Sequence, residues 1–294
     1  MELSVCVTDD DYEAWRAVRL VVEADSRCLT VEELREQDSP DRLLLLAVED
    51  GVVVGSGIAD RSDTAASGFV APRVLPDHRR RGVGSVLLQA LAEHCSRLGL
   101  PTAVTGVDDE GSLAFAEHFG FVEVDREVEQ VRAVGDEPAP RALPDGVEVI
   151  EARERPDLWP ACFETFGREV LADFALHTPL QISAEQWNTT WRGDPMFLAL
   201  DGDEVIGCAG LNRDTDRPGR AENALTAVRR DRRGRGLAAH LKRRTLHWAA
   251  LNGIDEVYTW TQAGNAPMRR LNEQLGYVTT KNSVTVSRPL PLTD

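Results

Sequence analysis

Two short stretches decide how this chain folds. RRRGVG occupies residues 79–84 (Arg79, Arg80, Arg81, Gly82, Val83, Gly84), and RGRGLA occupies residues 233–238 (Arg233, Gly234, Arg235, Gly236, Leu237, Ala238). Each follows a run with strand character and precedes a long amphipathic stretch. A strand that turns directly into a helix leaves several backbone N–H groups without partners, at the positive end of the helix dipole. Glycine lets an anion approach that backbone because it carries no Cβ. Arginine adds donors suited to phosphate oxygens. The pattern predicts an anion site, used twice. The competing reading is a solvated helix start with no ligand.

The doubling extends outward from these turns. LLLLAVEDGVVVGSG (residues 43–57) and MFLALDGDEVIGCAG (residues 196–210) both read as strand, acidic-Gly turn and strand. Gly55 and Gly207 lie 152 residues apart, Gly82 and Gly236 lie 154 apart, and Phe121 and Tyr277 lie 156 apart. Three features in one order at a nearly constant offset predict two copies of one domain. The segment 133–146 holds Pro138, Pro140 and Pro144 between Gly135 and Gly146, as an extended linker would. The expected division is therefore residues 1–137, a linker at 138–145, and residues 146–294.

Within each copy a first strand leads into helical sequence and then the hairpin. A third strand (residues 67–74 and 221–228) runs into the Arg/Gly turn. Leu87, Leu91, His94, Cys95 and Leu98 recur at helical spacing and stop at Gly99; Leu237, Leu241, Trp248 and Leu251 do the same and stop at Gly253. A short strand, a short helix and a final strand pair close each copy. The hairpin demands antiparallel pairing, whereas strand–turn–helix–strand demands a parallel pair. The predicted class is α/β: two tandem domains, each a mixed, mostly antiparallel sheet with a splayed parallel pair flanked by helices.

Bulk composition excludes several functions. The formal net charge is −16, which argues against polyanion binding by summed positive charge, so no nucleic-acid partner is expected. The five cysteines form no CxxC pair and the six histidines no HExxH, so no disulfide framework or metal is expected. No apolar run approaches the roughly 20 residues of a membrane helix, and residues 1–15 lack the basic head and apolar core of a signal peptide. A cytoplasmic chain with no membrane partner is expected, as monomer or homodimer. The sequon-like Asn188-Thr189-Thr190 is read as chance. A Walker A loop and a GxGxxG fingerprint are both absent.

The arrangement RxxGx[G/A], between a strand and a long helix and roughly 40 residues before a Gly-aromatic pair, resembles motif A of the GNAT acyltransferase superfamily. Copy one matches through Arg79, Gly82 and Gly84, and copy two through Arg233, Gly236 and Ala238. FAEHFGF (residues 115–121) and NAPMRRLNEQLGY (residues 265–277) resemble that family's closing helix and its GF/GY. The resemblance covers nearly the whole chain and points to a double-domain member. It implies acetyl-CoA as cosubstrate, with the pyrophosphate held by the backbone of Arg80, Arg81, Gly82, Val83, Gly84 and Ser85, or of Gly234, Arg235, Gly236, Leu237, Ala238 and Ala239. It implies that pantetheine pairs with the third strand at Val74-Leu75 and Val228-Arg229. The Val74 or Val228 N–H would then polarise the thioester carbonyl, and a small-molecule amine would attack directly.

The chain departs from that pattern at the proton-transfer groups. The family's tyrosine acid is replaced by Ala116 in copy one and Asn272 in copy two. A candidate base on the third strand exists only in copy two, at Glu222, expected to share a strand face with Ala224 and Thr226. Gly68 stands at its expected counterpart. The competing reading of Glu222 is a solvated strand-start residue. Asn265 fits a helix cap before Ala266-Pro267, and the resemblance adds a pantetheine contact there. Tyr258, Trp260 and Trp187 are candidates for an acceptor pocket or for core, and Cys208 for core. Glu222 and the fuller closing helix favour copy two as the working site. The alternatives are a non-catalytic CoA-binding or sensor module, and one active domain beside a degenerate structural one.

Overall fold

The first copy opens with β1 (Glu2–Val5) and α1 (Asp9–Val22). Thr8 starts this helix through a capping box: its hydroxyl accepts the Asp11 N–H, and the Asp11 carboxylate accepts the Thr8 N–H. After α2 (Val31–Glu36) comes the hairpin of β2 (Leu43–Glu49) and β3 (Val52–Arg61), turned by Asp50 and Gly51 at φ of 51° and 79°. Then follow β4 (Ser67–Val74), α3 (Val83–Arg97), β5 (Thr102–Val107), α4 (Glu110–His118) and β6 (Val122–Ala133). The second copy runs β7 (Glu148–Glu151), α5 (Leu158–Ala161), a π-helical turn (Phe163–Gly167), α6 (Arg168–Phe174) and α7 (Ala184–Thr189). It continues with β8 (Met196–Asp201), β9 (Glu204–Arg213), β10 (Arg220–Val228), α8 (Leu237–Leu251), β11 (Glu256–Gln262), α9 (Ala266–Gln274) and β12 (Val278–Pro289). The computed structural model describes residues 1–62, 67–141, 143, 146–174, 180, 182–189 and 191–292.

The two compact units are not contiguous in sequence. One comprises Met1–Arg126 and Ser283–Asp294, the other Glu127–Asn282. In the first, β1 to β4 pair antiparallel in order, and β4 pairs parallel with β5 only over Ser67–Phe69 and Thr102–Val104. The far edge of β5 is covered by residues 284–289 of β12. In the second, β7 to β10 pair antiparallel in order, and β10 pairs parallel with β11 only over Arg220–Glu222 and Glu256–Tyr258. The far edge of β11 is covered by residues 127–133 of β6. Each parallel pair is thus closed by the last strand of the other copy, which leaves no open ladder on that side. The expected linker, residues 138–145, falls within the span of the second unit, and its Ala142, Pro144 and Asp145 lie outside the described residues. So does Thr190 of the sequon-like triplet.

Helix α3 packs on its sheet through the expected Leu87, Leu91 and Cys95, and α8 through the expected Leu237 and Leu241 with Trp248 partly buried, to which the fold adds Leu246 and Ala249. Leu251 departs from it, standing 72% exposed at the helix end. Trp187 belongs to the core, stacked on Trp159 at 4.2 Å, each indole N–H donating to the other residue's carbonyl. Cys208 lies in the same buried cluster, and burial drives its thiol pKa far up, so it is no nucleophile.

Candidate functional site

Both Arg/Gly turns have the same backbone. A single 3-10 turn (Pro76–His78; Arg230–Arg232) follows the strand. Arg80 and its counterpart Gly234 take φ of 63° and 75°, and Gly82 and Gly236 take 83° and 80° as N-caps of α3 and α8. Neither glycine supplies a side-chain cap, and a Cβ on either would meet nothing within 4 Å. The first N–H groups of two 15-residue helices therefore have no side-chain cap and lie beside arginines in sequence. Val83 and Leu237 are buried beneath the turn, so their side chains serve the core while their backbone serves the turn.

The first arginine of each motif has a role that spacing alone did not reveal. Arg79 Nε donates to the Val74 carbonyl at 3.1 Å, and Arg233 Nε to the Val228 carbonyl at 2.8 Å. These side chains tie the turn back to the strand end. The arginines of copy two are further engaged by acids: Asp173 of α6 pairs with Arg230 and Arg233, and Glu169 accepts the Arg230 N–H at 2.7 Å. Arg229 binds Glu204 and Asp231. Arg80, Arg81 and Arg235 are exposed, with no ion pair among the described residues.

The strand beside each turn also offers donors. The Leu75 N–H donates to the Val54 carbonyl and the Arg229 N–H to the Ile206 carbonyl. Strand N–H groups alternate between edges, so those of Val74 and Val228 point to the other edge, where β5 and β11 have parted from β4 and β10. In the first unit this gap is a cleft lined by Ala71, Arg73, Leu88, Val107, Ala116 and Phe121, among others. Glu23 faces it but is committed. Burial pushes its pKa up, and the Arg73 and Arg19 guanidiniums outweigh that and hold it low.

Strand β10 differs from β4 by one residue. The β9·β10 register shifts between Asn223 and Thr226, whereas β3·β4 is regular throughout. This bulge corrects two expectations. Thr226 pairs with Ala209, on the α8 face of the sheet, while Glu222 pairs with Asn212 and shares the opposite face with Ala227 and Cys208. Glu222 and Thr226 therefore do not share a face. Before the bulge the offset between copies is 153, since Arg220 and Ser67 hold the same place in the parallel register. The counterpart of Glu222 is Phe69, and Gly68 matches Ala221. Gly68 is required to be small: a Cβ there would lie 2.4 Å from Cys95 Sγ.

Glu222 is half-buried, and the Tyr258 hydroxyl donates to its Oε2 at 3.3 Å. Tyr258 is buried with the Arg220 guanidinium 3.8 Å over its ring, and Arg220 in turn pairs with Glu256 at 2.6 Å. Trp260 is half-buried. Glu222 and Val228 lie opposite Asn212 and Gly207, five β9 residues apart, about 17 Å at roughly 3.3 Å per strand residue, too far to act on one atom. Thr226, whose N–H points to the same edge as that of Val228, is nearer to Glu222; the bulge that places it is invisible to alternation. Asn272, at the place of the missing acid, is fully buried and donates to Gln130 Oε1 and Thr261 Oγ1. Ala116 is buried likewise.

Asn265 caps α9, its Oδ1 accepting the Met268 N–H at 3.2 Å. Its copy-one counterpart Asp109 caps α4 by accepting the Ser112 N–H at 3.0 Å. Asn265→Ala is expected to lower the stability of the second unit by about 1 kcal/mol in thermal unfolding, and Asn265→Ser to restore it. If Asn265→Ser also keeps CoA affinity, the residue is a cap alone; a tenfold loss assigns it a ligand contact.

The acetyltransferase (GNAT) family model matches residues 8–121 and 157–277. A mycothiol acetyltransferase from Clavibacter michiganensis subsp. michiganensis is 30% identical over 261 residues, covering 83% of this chain and 79% of that protein. One from Thermomonospora curvata is 28% identical over 256 residues, covering 84% and 82%. A tandem GNAT protein from the clavulanic acid biosynthesis pathway shares the fold with a TM-score of 0.77 at 19% identity, over all of both chains. A GCN5-related N-acetyltransferase from Sphaerobacter thermophilus does so at 0.70 and 21%, over 98% of this chain and 95% of that one. Matched in both halves, the chain belongs to the acetyltransferase (GNAT) family and is a tandem N-acetyltransferase.

Proposed function

We propose that the chain transfers an acetyl group from acetyl-CoA to the amine of a small molecule, in its C-terminal unit. GNAT acetyltransferases use acetyl-CoA, which supplies an activated thioester. The observation that carries the reading is the pair of uncapped, glycine-opened helix starts, each at the end of a strand whose parallel neighbour has just departed. The backbone from Gly234 to Ala239 would hold the pyrophosphate, with Arg235 adding charge. The Val228 N–H would pair with pantetheine, the Arg229 N–H being spent on the Ile206 carbonyl, and the Thr226 N–H would stabilise charge on the thioester oxygen. Glu222 would take the proton of the attacking amine.

The N-terminal unit would bind CoA through Val74 and the turn from Arg80 to Ser85, the Leu75 N–H being spent on the Val54 carbonyl. It has Phe69 where the second unit has Glu222, and its cleft carboxylate Glu23 is ion-paired, which supports a binding role. The alternative of a binding module without turnover is separated by one experiment. Amines are scanned with thiol-release detection, headed by the acetyl acceptor of mycothiol acetyltransferases. Turnover of any amine is the expected result; CoA binding with none would leave only the module. With an active amine, Glu222→Gln is expected to lower kcat about 100-fold with the KM for acetyl-CoA unchanged. An unchanged kcat would return Glu222 to a solvated strand residue.

A further inference from the structure

This chain contains 31 arginines and only two lysines, Lys242 and Lys281. Lys242 is 1% exposed, one of the largest fully buried side chains in the protein. Among the described residues no carboxylate pairs with it; its ammonium stands 4.9 Å over the Tyr277 ring. An arginine cannot give up its proton, whereas a desolvated lysine can. Lys242 is therefore a buried cation that, unlike an arginine, is able to release its proton.

Its position comes from the repeat. Lys242 is 154 residues beyond Leu88, the same spacing as the N-cap glycines Gly82 and Gly236, so both hold one place on α3 and α8. Leu88 lines the cleft of the first unit beside Ala116 and Phe121. The counterparts of those residues in the second unit are Asn272 and Tyr277, and Tyr277 is the ring beneath Lys242. Along α8, Leu241 packs with Ala209 and Val228, and Leu246 with Ala221, Val257 and Tyr277. Lys242 therefore stands level with the β10 bulge, on the face that carries Asn223 and Thr226. Asn223 Oδ1 and Thr226 Oγ1 are buried there without a hydrogen-bond partner, as expected where a ligand or water completes the set.

We infer that Lys242 is the proton donor to the departing thiolate in the C-terminal unit. The inference rests on the reading that this unit holds acetyl-CoA. In the step, the acceptor nitrogen forms the C–N bond as the C–S bond breaks. The Lys242 ammonium gives its proton to the sulfur and becomes a neutral amine. The acceptor ammonium first loses one proton to solvent; as the resulting amine attacks, its second proton goes to Glu222, which passes it to solvent, and Lys242 regains its own from solvent. Net, an ammonium and a thioester give an amide, a thiol and one released proton. Burial alone pulls the Lys242 pKa down to about 7, which leaves a donor able to work near neutrality. The hydroxyl of Tyr277, raised to about 12 by burial, donates no proton in that range.

Two lysines make the test direct. Full-length Gly82→Glu protein, in which only the C-terminal turn remains to bind CoA, is labelled with 13Cε-lysine. Two resonances are expected, and the one lost in Lys242→Met is assigned to Lys242. CoA is expected to shift that resonance and raise its titration midpoint, and desulfo-CoA to leave it unmoved. An identical response to both ligands, or none, would overturn the inference. If calorimetry shows that CoA does not bind this protein at all, the reading beneath it fails as well. Lys242→Met is expected to release thiol from acetyl-CoA about 100-fold more slowly, with the Kd for CoA within threefold. Lys242→Arg keeps the charge but holds its proton, and is expected to be as slow; wild-type rate in either variant sinks the role.

Discussion

Gly236→Glu is expected to abolish CoA binding by the C-terminal unit, and Gly82→Glu by the N-terminal unit, so calorimetry on each single variant should show one site fewer than the wild type. Three effects add. The N-cap backbone is left-handed at φ of 80° and 83°, which a side chain with a Cβ resists by roughly 1–2 kcal/mol. The new carboxylate sits where the helix dipole and free N–H groups favour an anion, and so takes the ligand's place. It also repels the pyrophosphate. Together these make a loss of about 3 kcal/mol or more, at least 100-fold in Kd. Because a Cβ meets nothing within 4 Å at either glycine, the fold should survive. Gly236→Asn controls for the backbone: asparagine tolerates the left-handed region and adds no charge. It should keep most of the affinity. Wild-type stoichiometry in both Glu variants would show that the phosphate lies elsewhere.

The doubled architecture was legible because its signals are local. Asp50-Gly51 and Gly202 specify hairpin turns, Gly82 and Gly236 specify strand-to-helix turns, and the leucine stripe specifies a helix face. What lay beyond the sequence is long-range or differs by one residue. Nothing in the alternation of residues 122–133 or 278–289 says which β-edge either strand will cover. Both edges are open parallel partners, and the structure assigns each to the other copy's strand. The β10 bulge is a single extra residue, and it reassigns every face before it. That is why Glu222 matches Phe69, and why Thr226 could not share the face of Glu222. The arginines have further partners that no local pattern announces. They resemble phosphate ligands, yet Arg79 and Arg233 bind strand carbonyls, and Arg230 and Arg233 meet Asp173 on a helix 57 and 60 residues upstream. The candidate site is thus glycine and backbone first, with arginine charge as a supplement.

Lys242→Met is expected to stabilise the protein, and to do so in a pH-dependent way. The ordinary lysine pKa of 10.5 falls to about 7 in the folded chain through desolvation. Between those values the unfolded chain binds a proton that the folded chain does not, so wild-type stability declines as pH falls from about 10.5 to 7. Below about 7 both states are protonated and the full penalty is present, of the order of 5 kcal/mol for a shift of that size. Methionine has similar length, no charge to bury, and a flexible chain that can fill the same space over Tyr277. The stability difference between variant and wild type should therefore be largest below pH 7 and shrink steadily toward pH 10. Urea unfolding of both proteins at pH 6 and pH 9.5 measures it, and comparing the pair cancels the titration of all other groups. An equal difference at both values would mean that Lys242 is not charged at a cost inside the fold. A loss of stability on substitution would mean that the ammonium has found compensation beyond the Tyr277 ring. A stabilised, slow variant is the expected outcome: the unpaired buried ammonium weakens the fold because the second unit uses its proton.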